Sequence, residues 1–185
     1  MGDEPVKRKV FISFFQGDRT AVDTFIEDFG DVFIPKALGV EYNDDLIDST
    51  DTDYVMSQIR EKYLADSTVT IVAIGDCTHS RRYVDWEIKT SLRKGSYTPN
   101  GLIGMLLPYK GDSANLPPRF RENWISENSK CFARYYVYPS SEDKLRDWIE
   151  DAHAARTERA DLIKNSADMM KNNAKCKVHD KTHPA

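Results

Sequence analysis

Cysteine is scarce in this 185-residue chain. Cys77, Cys131 and Cys176 are three in number and widely spaced, so they read as no disulfide framework. A chain of this length folds on a hydrophobic core without such staples. A basic excess is missing too: 26 Lys and Arg stand against 30 Asp and Glu, a net charge of −4. That balance excludes a dedicated nucleic-acid or anionic-membrane binder. No apolar run approaches the roughly 20 residues of a membrane helix. The opening Met1-Gly2-Asp3-Glu4-Pro5 lacks an apolar signal core, and Val6 stands where the myristoylation pattern wants Ser or Thr. There is no Gly-x-Gly-x-x-Gly, which excludes a dehydrogenase-style dinucleotide clamp. Internal repeats and low-complexity segments are absent as well. These absences predict a cytoplasmic protein with no nucleic-acid or membrane partner.

What is present is an alternation of strand and helix periods. Hydrophobic residues make up 40% and charged residues 30%, the balance of an ordinary globular domain. Residues 9–15 are a short β-prone run, and from Asp18 the period changes. Val22, Phe25, Ile26 and Phe29 fall on one helical face, with Asp18 as the expected N-cap and Gly30 as the stop. Residues 32–34 and 39–42 both qualify as a second strand, separated by Pro35, which only an edge strand tolerates comfortably. An acidic loop around Asp44 and Asp45 follows, then a helix with Val55, Ile59 and Tyr63 spaced four apart. Val69-Thr70-Ile71-Val72-Ala73-Ile74 is a strand buried on both faces, as in a parallel sheet. A helix with Val84, Ile88 and Leu92 inside, a strand at 101–107, an aromatic strand at 132–138 and a helix from Ser141 complete the pattern. The predicted fold is α/β: a three-layer, doubly wound, five-stranded, mostly parallel sheet of order 2-1-3-4-5. Residues 1–170 are expected to form a single domain, with 171–185 as a solvated basic tail carrying four lysines against one aspartate.

In such sheets ligands bind beyond the carboxyl ends of the strands where the order reverses, here between the first and third strands. The residues delivered there are 14–18 and 75–87. Glu87 stands out among them. With Ser80 as the helix cap it lies nearly two turns inside, too deep to serve the helix end. At about 100° per residue it sits roughly 60° from Val84, on the flank of the buried stripe, with Tyr83 one turn earlier to cover it. A half-buried carboxylate in a crevice suits acid–base or cation-stabilising work. The competing role is an i,i+4 partner for a surface cation, but Ser91 at that spacing is neutral.

Ser13-Phe14 followed by Asp18, the 69–74 strand, and Ser80-Arg81-Arg82-Tyr83-Val84-Asp85-Trp86-Glu87-Ile88 together resemble the TIR-like domains of the bacterial Thoeris antiviral system. The resemblance covers roughly residues 7–138. It implies a flavodoxin-like fold and cleavage of the nicotinamide–ribose bond of NAD⁺, taken as substrate rather than cofactor. The product would be a cyclic or linear ADP-ribose signal, read by a downstream nucleotide-sensing effector, and the resemblance also implies self-assembly. Enzymatic TIR domains place the catalytic glutamate with Trp-x-x-x-Glu; here Tyr83-x-x-x-Glu87 fills that pattern, with Tyr for Trp. Loss of nicotinamide leaves an oxocarbenium-like ribose that a carboxylate stabilises. Phe14 and Tyr83 are candidates to stack on flat rings or exclude water. Asp18 and Asp45 are candidates for ribose hydroxyls, against the simpler roles of a helix cap and a turn acid, and Ser80 is counted with them. Trp86 points away from the inner stripe, as either a partner surface or a tryptophan packed on a neighbouring element.

Other classes fit less well. A phosphoacceptor receiver has Asp76 in its favour but needs an acidic pair after the first strand and a lysine after the fifth, where Tyr138-Pro139-Ser140 offers none. A flavodoxin needs a Ser/Thr/Gly-rich phosphate loop where Gln16-Gly17-Asp18-Arg19 places an acid. A TIR-like interaction module without catalysis is the alternative that remains. Cys176-x-x-His179-x-x-x-His183 has zinc-compatible spacing but supplies only three ligands, so no metal site is expected. Cys77 reads as a small apolar filler.

Overall fold

The computed structural model describes residues 6–36, 49, 51–125 and 130–184. Five parallel strands form one sheet in the order β2-β1-β3-β4-β5: β1 Lys9–Phe14, β2 Ile34–Lys36, β3 Val69–Ile74, β4 Gly101–Leu106 and β5 Arg134–Tyr136. The expected order and fold class are those observed. Helices α1 (Arg19–Phe29) and α5 (Glu142–Glu158) cover one face; α2 (Thr52–Ile59), α3 (Arg82–Ser91) and α4 (Pro118–Asn123) cover the other.

Side-chain alternation along the strands divides the core. Val10 and Ile12 of β1 join Val22 and Phe25 of α1 and Leu145 and Ile149 of α5. Val72 and Ile74 of β3 turn the other way, onto Val84 and Ile88 of α3 and Phe120 of α4. Burying a side chain of this kind contributes about 1.5–3 kcal/mol each. Two glycines let the helices close on β4. A Cβ on Gly101 would lie 2.0 Å from the Ala152 carbonyl oxygen of α5, and one on Gly104 would lie 2.4 Å from the Phe120 ring of α4.

The helix ends show local chemistry. Asp51 accepts hydrogen bonds from the N–H groups of Asp53 and Tyr54 at 3.0 and 3.2 Å and starts α2. Ser141 caps α5 as expected, accepting from Lys144 N–H at 3.3 Å. Asp18 precedes α1, but its side chain makes no capping bond. β2 takes Pro35 opposite Val10 at the sheet edge, where a missing N–H breaks no ladder. The alternative second strand, 39–42, lies outside the described residues, as does the loop around Asp44 and Asp45.

Three features differ from expectation. Between the strands at 101–107 and 132–138 stands a helix that no period announced, α4, which Pro118 opens at its first turn, where a missing N–H is harmless. β5 has three paired residues rather than seven, and its Tyr136 ring stacks on Trp148 of α5 at 4.0 Å. The chain's last stretch is docked on the domain, although most of its residues from 171 to 184 stay exposed. Residues 163–184 run across α3 and α4 because side chains there satisfy the tail's backbone: Trp86 Nε1 donates to Met170 O at 2.7 Å, and Lys89 Nζ to Ala167 O at 2.7 Å. Arg119 of α4 donates to Ala167 O and Asp168 O while forming a buried ion pair with Asp85, 2.9 Å from Nε to Oδ1. A sequence without periodicity can still dock when polar partners replace an apolar stripe.

Candidate active site

Glu87 is set by the meeting of β1 and α3. Ser13 occupies the β1 position that points to the α3 face, since Phe11, two residues earlier, packs with Trp86 of α3. On α3, Val84 and Ile88 hold the helix against β3 and β4, and this rotation carries Glu87 inward to 5% exposure. Ser13 Oγ donates to Glu87 Oε2, and among the described residues no cation pairs with the carboxyl. Burial pushes the Glu87 pKa up to about 8, while the Ser13 bond pulls it the other way. Burial therefore favours the protonated carboxyl where the sheet order reverses. A neutral acid there can donate a proton or hydrogen bond; it stabilises an adjacent cation only after ionising.

The rim beyond the strand ends is polar. Tyr109, in the turn after β4, donates its hydroxyl to Asp18 Oδ1 at 2.7 Å and accepts the Asp76 N–H at 3.2 Å. Lys110 pairs with Asp76 across the same rim. Burial raises the Asp18 pKa, and the Tyr109 bond acts against that shift. Asp18 Oδ2 is buried and lacks a hydrogen-bond partner among the described residues. Gly75 makes this convergence possible, because a Cβ there would lie 2.3 Å from both Asp18 Oδ2 and the Tyr109 hydroxyl.

The sequence profile described as "Thoeris protein ThsB, TIR-like domain" matches residues 11–112, more than half of the chain. The chain belongs to this family. Membership brings a TIR-like signalling role in defence. No curated protein matches the chain. The family match includes Ser13, Asp18, Glu87 and Tyr109 and ends before β5, α5 and the tail.

In this TIR-like domain the residues expected around Glu87 do not all gather there. Phe14 follows the alternation to the opposite side of the sheet from Ser13 and packs on the α1–α5 core. Ser80 does not cap α3: it ends a 3₁₀ turn, Thr78–Ser80, and its hydroxyl donates to Cys77 O at 2.8 Å, while Arg81 takes the N-cap position. Tyr83 stands edge-on to Trp86 with ring centroids 5.6 Å apart and receives Arg82 over its face. Asp45 lies outside the described residues. Trp86 is the packed alternative rather than a partner surface, bonded to the tail and 7% exposed. A cavity of about 490 Å³ opens beside it, lined by Arg82, Lys89 and Lys171 among others, and Glu87 is not in its wall.

Sequence reasoning missed Ser13 as the Glu87 partner. The available signal was a hydroxyl at period two from Phe11 in an otherwise apolar parallel strand. It also missed Cys77, which is no filler: it is disulfide-bonded to Cys176, 99 residues away, beside His179 and His183. Spacing alone could not join a loop after β3 to the chain's last turn.

Proposed function

We propose that this TIR-like protein cleaves the nicotinamide–ribose bond of NAD⁺ with Glu87 as the catalytic carboxyl, releasing nicotinamide and a linear or cyclic ADP-ribose signal for a nucleotide-sensing effector. One observation carries the reading: a carboxyl held by Ser13 inside the switch-point wall, with its pKa pushed to about 8 and, among the described residues, no cation to neutralise it. The cationic nicotinamide ring and the ribosyl cation that follows it favour the ionised form, so the substrate itself draws the proton off Glu87. Ser13 then holds the carboxylate in place as positive charge develops. NAD⁺ is substrate here, and the family's signalling role supplies the reason for a nucleotide product. Cytoplasmic action and self-assembly complete the proposal.

A second reading, a TIR-like module that signals by assembly without catalysis, is favoured by the depth of Glu87 and by its absence from the wall of the cavity near Trp86. Nicotinamide release from NAD⁺ separates the two, measured for wild type and Glu87→Gln in dilute and crowded solution. Catalysis predicts release by wild type that the variant lacks. Equal silence of both proteins under crowding assigns the module.

A further inference from the structure

The C-terminal turn brings three possible metal ligands to a fourth. Cys77 leaves the carboxyl end of β3, while Cys176, His179 and His183 come from the tail, and one donor atom of each lies within 4.8 Å of all the others. His179 Nδ1 and His183 Nε2 stand 3.2 and 3.1 Å from Cys77 Sγ and 3.1 Å from each other. A disulfide uses two of these groups and gives no reason for two imidazoles to aim nitrogens at the same sulfur. A tetrahedral Zn²⁺ does. With Zn–N near 2.0–2.1 Å and Zn–S near 2.3 Å, bound nitrogens sit roughly 3.3 Å apart, and nitrogen and sulfur roughly 3.6 Å apart.

We propose that, with Cys77 and Cys176 reduced, their sulfurs together with His179 Nδ1 and His183 Nε2 bind one Zn²⁺ and clamp the tail to the loop after β3. The surroundings are built for it. His179 turns its other nitrogen, Nε2, toward Asp76 Oδ2 at 3.8 Å, the outer-shell carboxylate that orients a ligating imidazole. Lys110 holds that carboxylate in turn. The turn is closed by Cys176 N–H donating to Lys181 O at 2.8 Å, and the tail just before it is docked by Ala174 N–H on Ser80 O at 2.8 Å. Two thiolates and two neutral imidazoles suit zinc over magnesium or calcium, and four protein ligands leave no open position, so the site is structural.

A phosphine reductant and one water convert the disulfide into two thiols and a phosphine oxide. Zn²⁺ then displaces the two thiol protons to solvent. The clamp also fixes the end of the chain against the end of β1: the His183 ring lies 5.3 Å from Phe15, and Arg81 Nη2 donates to Pro184 O at 2.7 Å.

The test uses the full-length chain, reduced with a phosphine, loaded with Zn²⁺, desalted and submitted to elemental analysis, with Co²⁺ titrated in parallel. The expected result is one metal ion per chain and a tetrahedral Co²⁺ spectrum with thiolate-to-metal charge transfer. Cys176→Ser and His183→Ala should each weaken binding by more than about ten-fold, the loss that even outer-shell changes cause. His179→Cys keeps four donors and should retain binding, which separates lost ligation from lost folding. Reduced wild type that takes up no Zn²⁺, equal uptake by Cys176→Ser and His183→Ala, or an octahedral Co²⁺ spectrum without thiolate bands would each overturn the proposal.

Discussion

Replacing Glu87 by Gln should make the protein more resistant to alkaline pH, and the size of the effect follows from where the side chain sits. Unfolded, the carboxyl titrates near 4.5; folded, it titrates at about 8, because burial penalises its charge. Between those values the native state holds a proton that the unfolded chain has released. Stability therefore falls as pH rises, by about 1.4 kcal/mol per unit at most. Glu87's contribution is fully present below pH 4.5 and is lost as pH passes 8. The whole span corresponds to about 5 kcal/mol, of which about 2 kcal/mol falls between pH 6 and 8. Gln has the same shape, accepts the Ser13 hydroxyl and does not ionise. Urea unfolding of both proteins at pH 6 and pH 8, under one redox condition, isolates this group, since the other titrations are shared. The variant should gain about 2 kcal/mol on wild type across that interval, with equal denaturant slopes. A difference that stays flat, or that moves in favour of wild type, would refute a buried neutral carboxyl.

Ser13→Ala removes the bond that favours the ionised form, so the Glu87 pKa should rise further; if nicotinamide release is detected, the acid limb of its kcat/KM profile, set by ionisation of Glu87, should move to higher pH with it. Arg119→Ala strands Asp85 in the core and removes its bonds to the carbonyls of Ala167 and Asp168, and should lower stability by about 3–5 kcal/mol in chemical denaturation. Gly75→Ala forces a methyl against Asp18 and Tyr109 and should lower the thermal midpoint, with a loss of about 1–3 kcal/mol that Tyr109→Phe partly relieves.

Periodicity is a local property, and it carried most of the fold. The unbroken apolar run at 69–74 marks a strand buried on both faces, and the four-residue spacing of Val55, Ile59 and Tyr63 marks one side of α2 and the wider helical turn that continues it. Parallel strands joined by helices leave few right-handed arrangements, so the strand order was legible too. Glu87 was legible as an inward-turned carboxylate because helical phase relates it to Val84 and Ile88 within one segment.

Contacts between distant segments were not legible, because nothing in a local window encodes them. Ser13 finds Glu87 74 residues away, Asp85 finds Arg119 34 residues away, and Cys77 reaches Cys176 across 99. Phe14 looked like a neighbour of Glu87 until strand alternation, fixed by which face packs on α1 and α5, sent it to the other side of the sheet. The tail carries no apolar stripe to announce docking; its backbone carbonyls meet donors that exist only once α3 and α4 are in place. The chain by itself determined the layers and the buried acid, through the periods of its hydrophobic residues. Only tertiary structure decided what holds that acid and where residues 163–184 lie, because both depend on partners that folding alone brings within hydrogen-bonding distance.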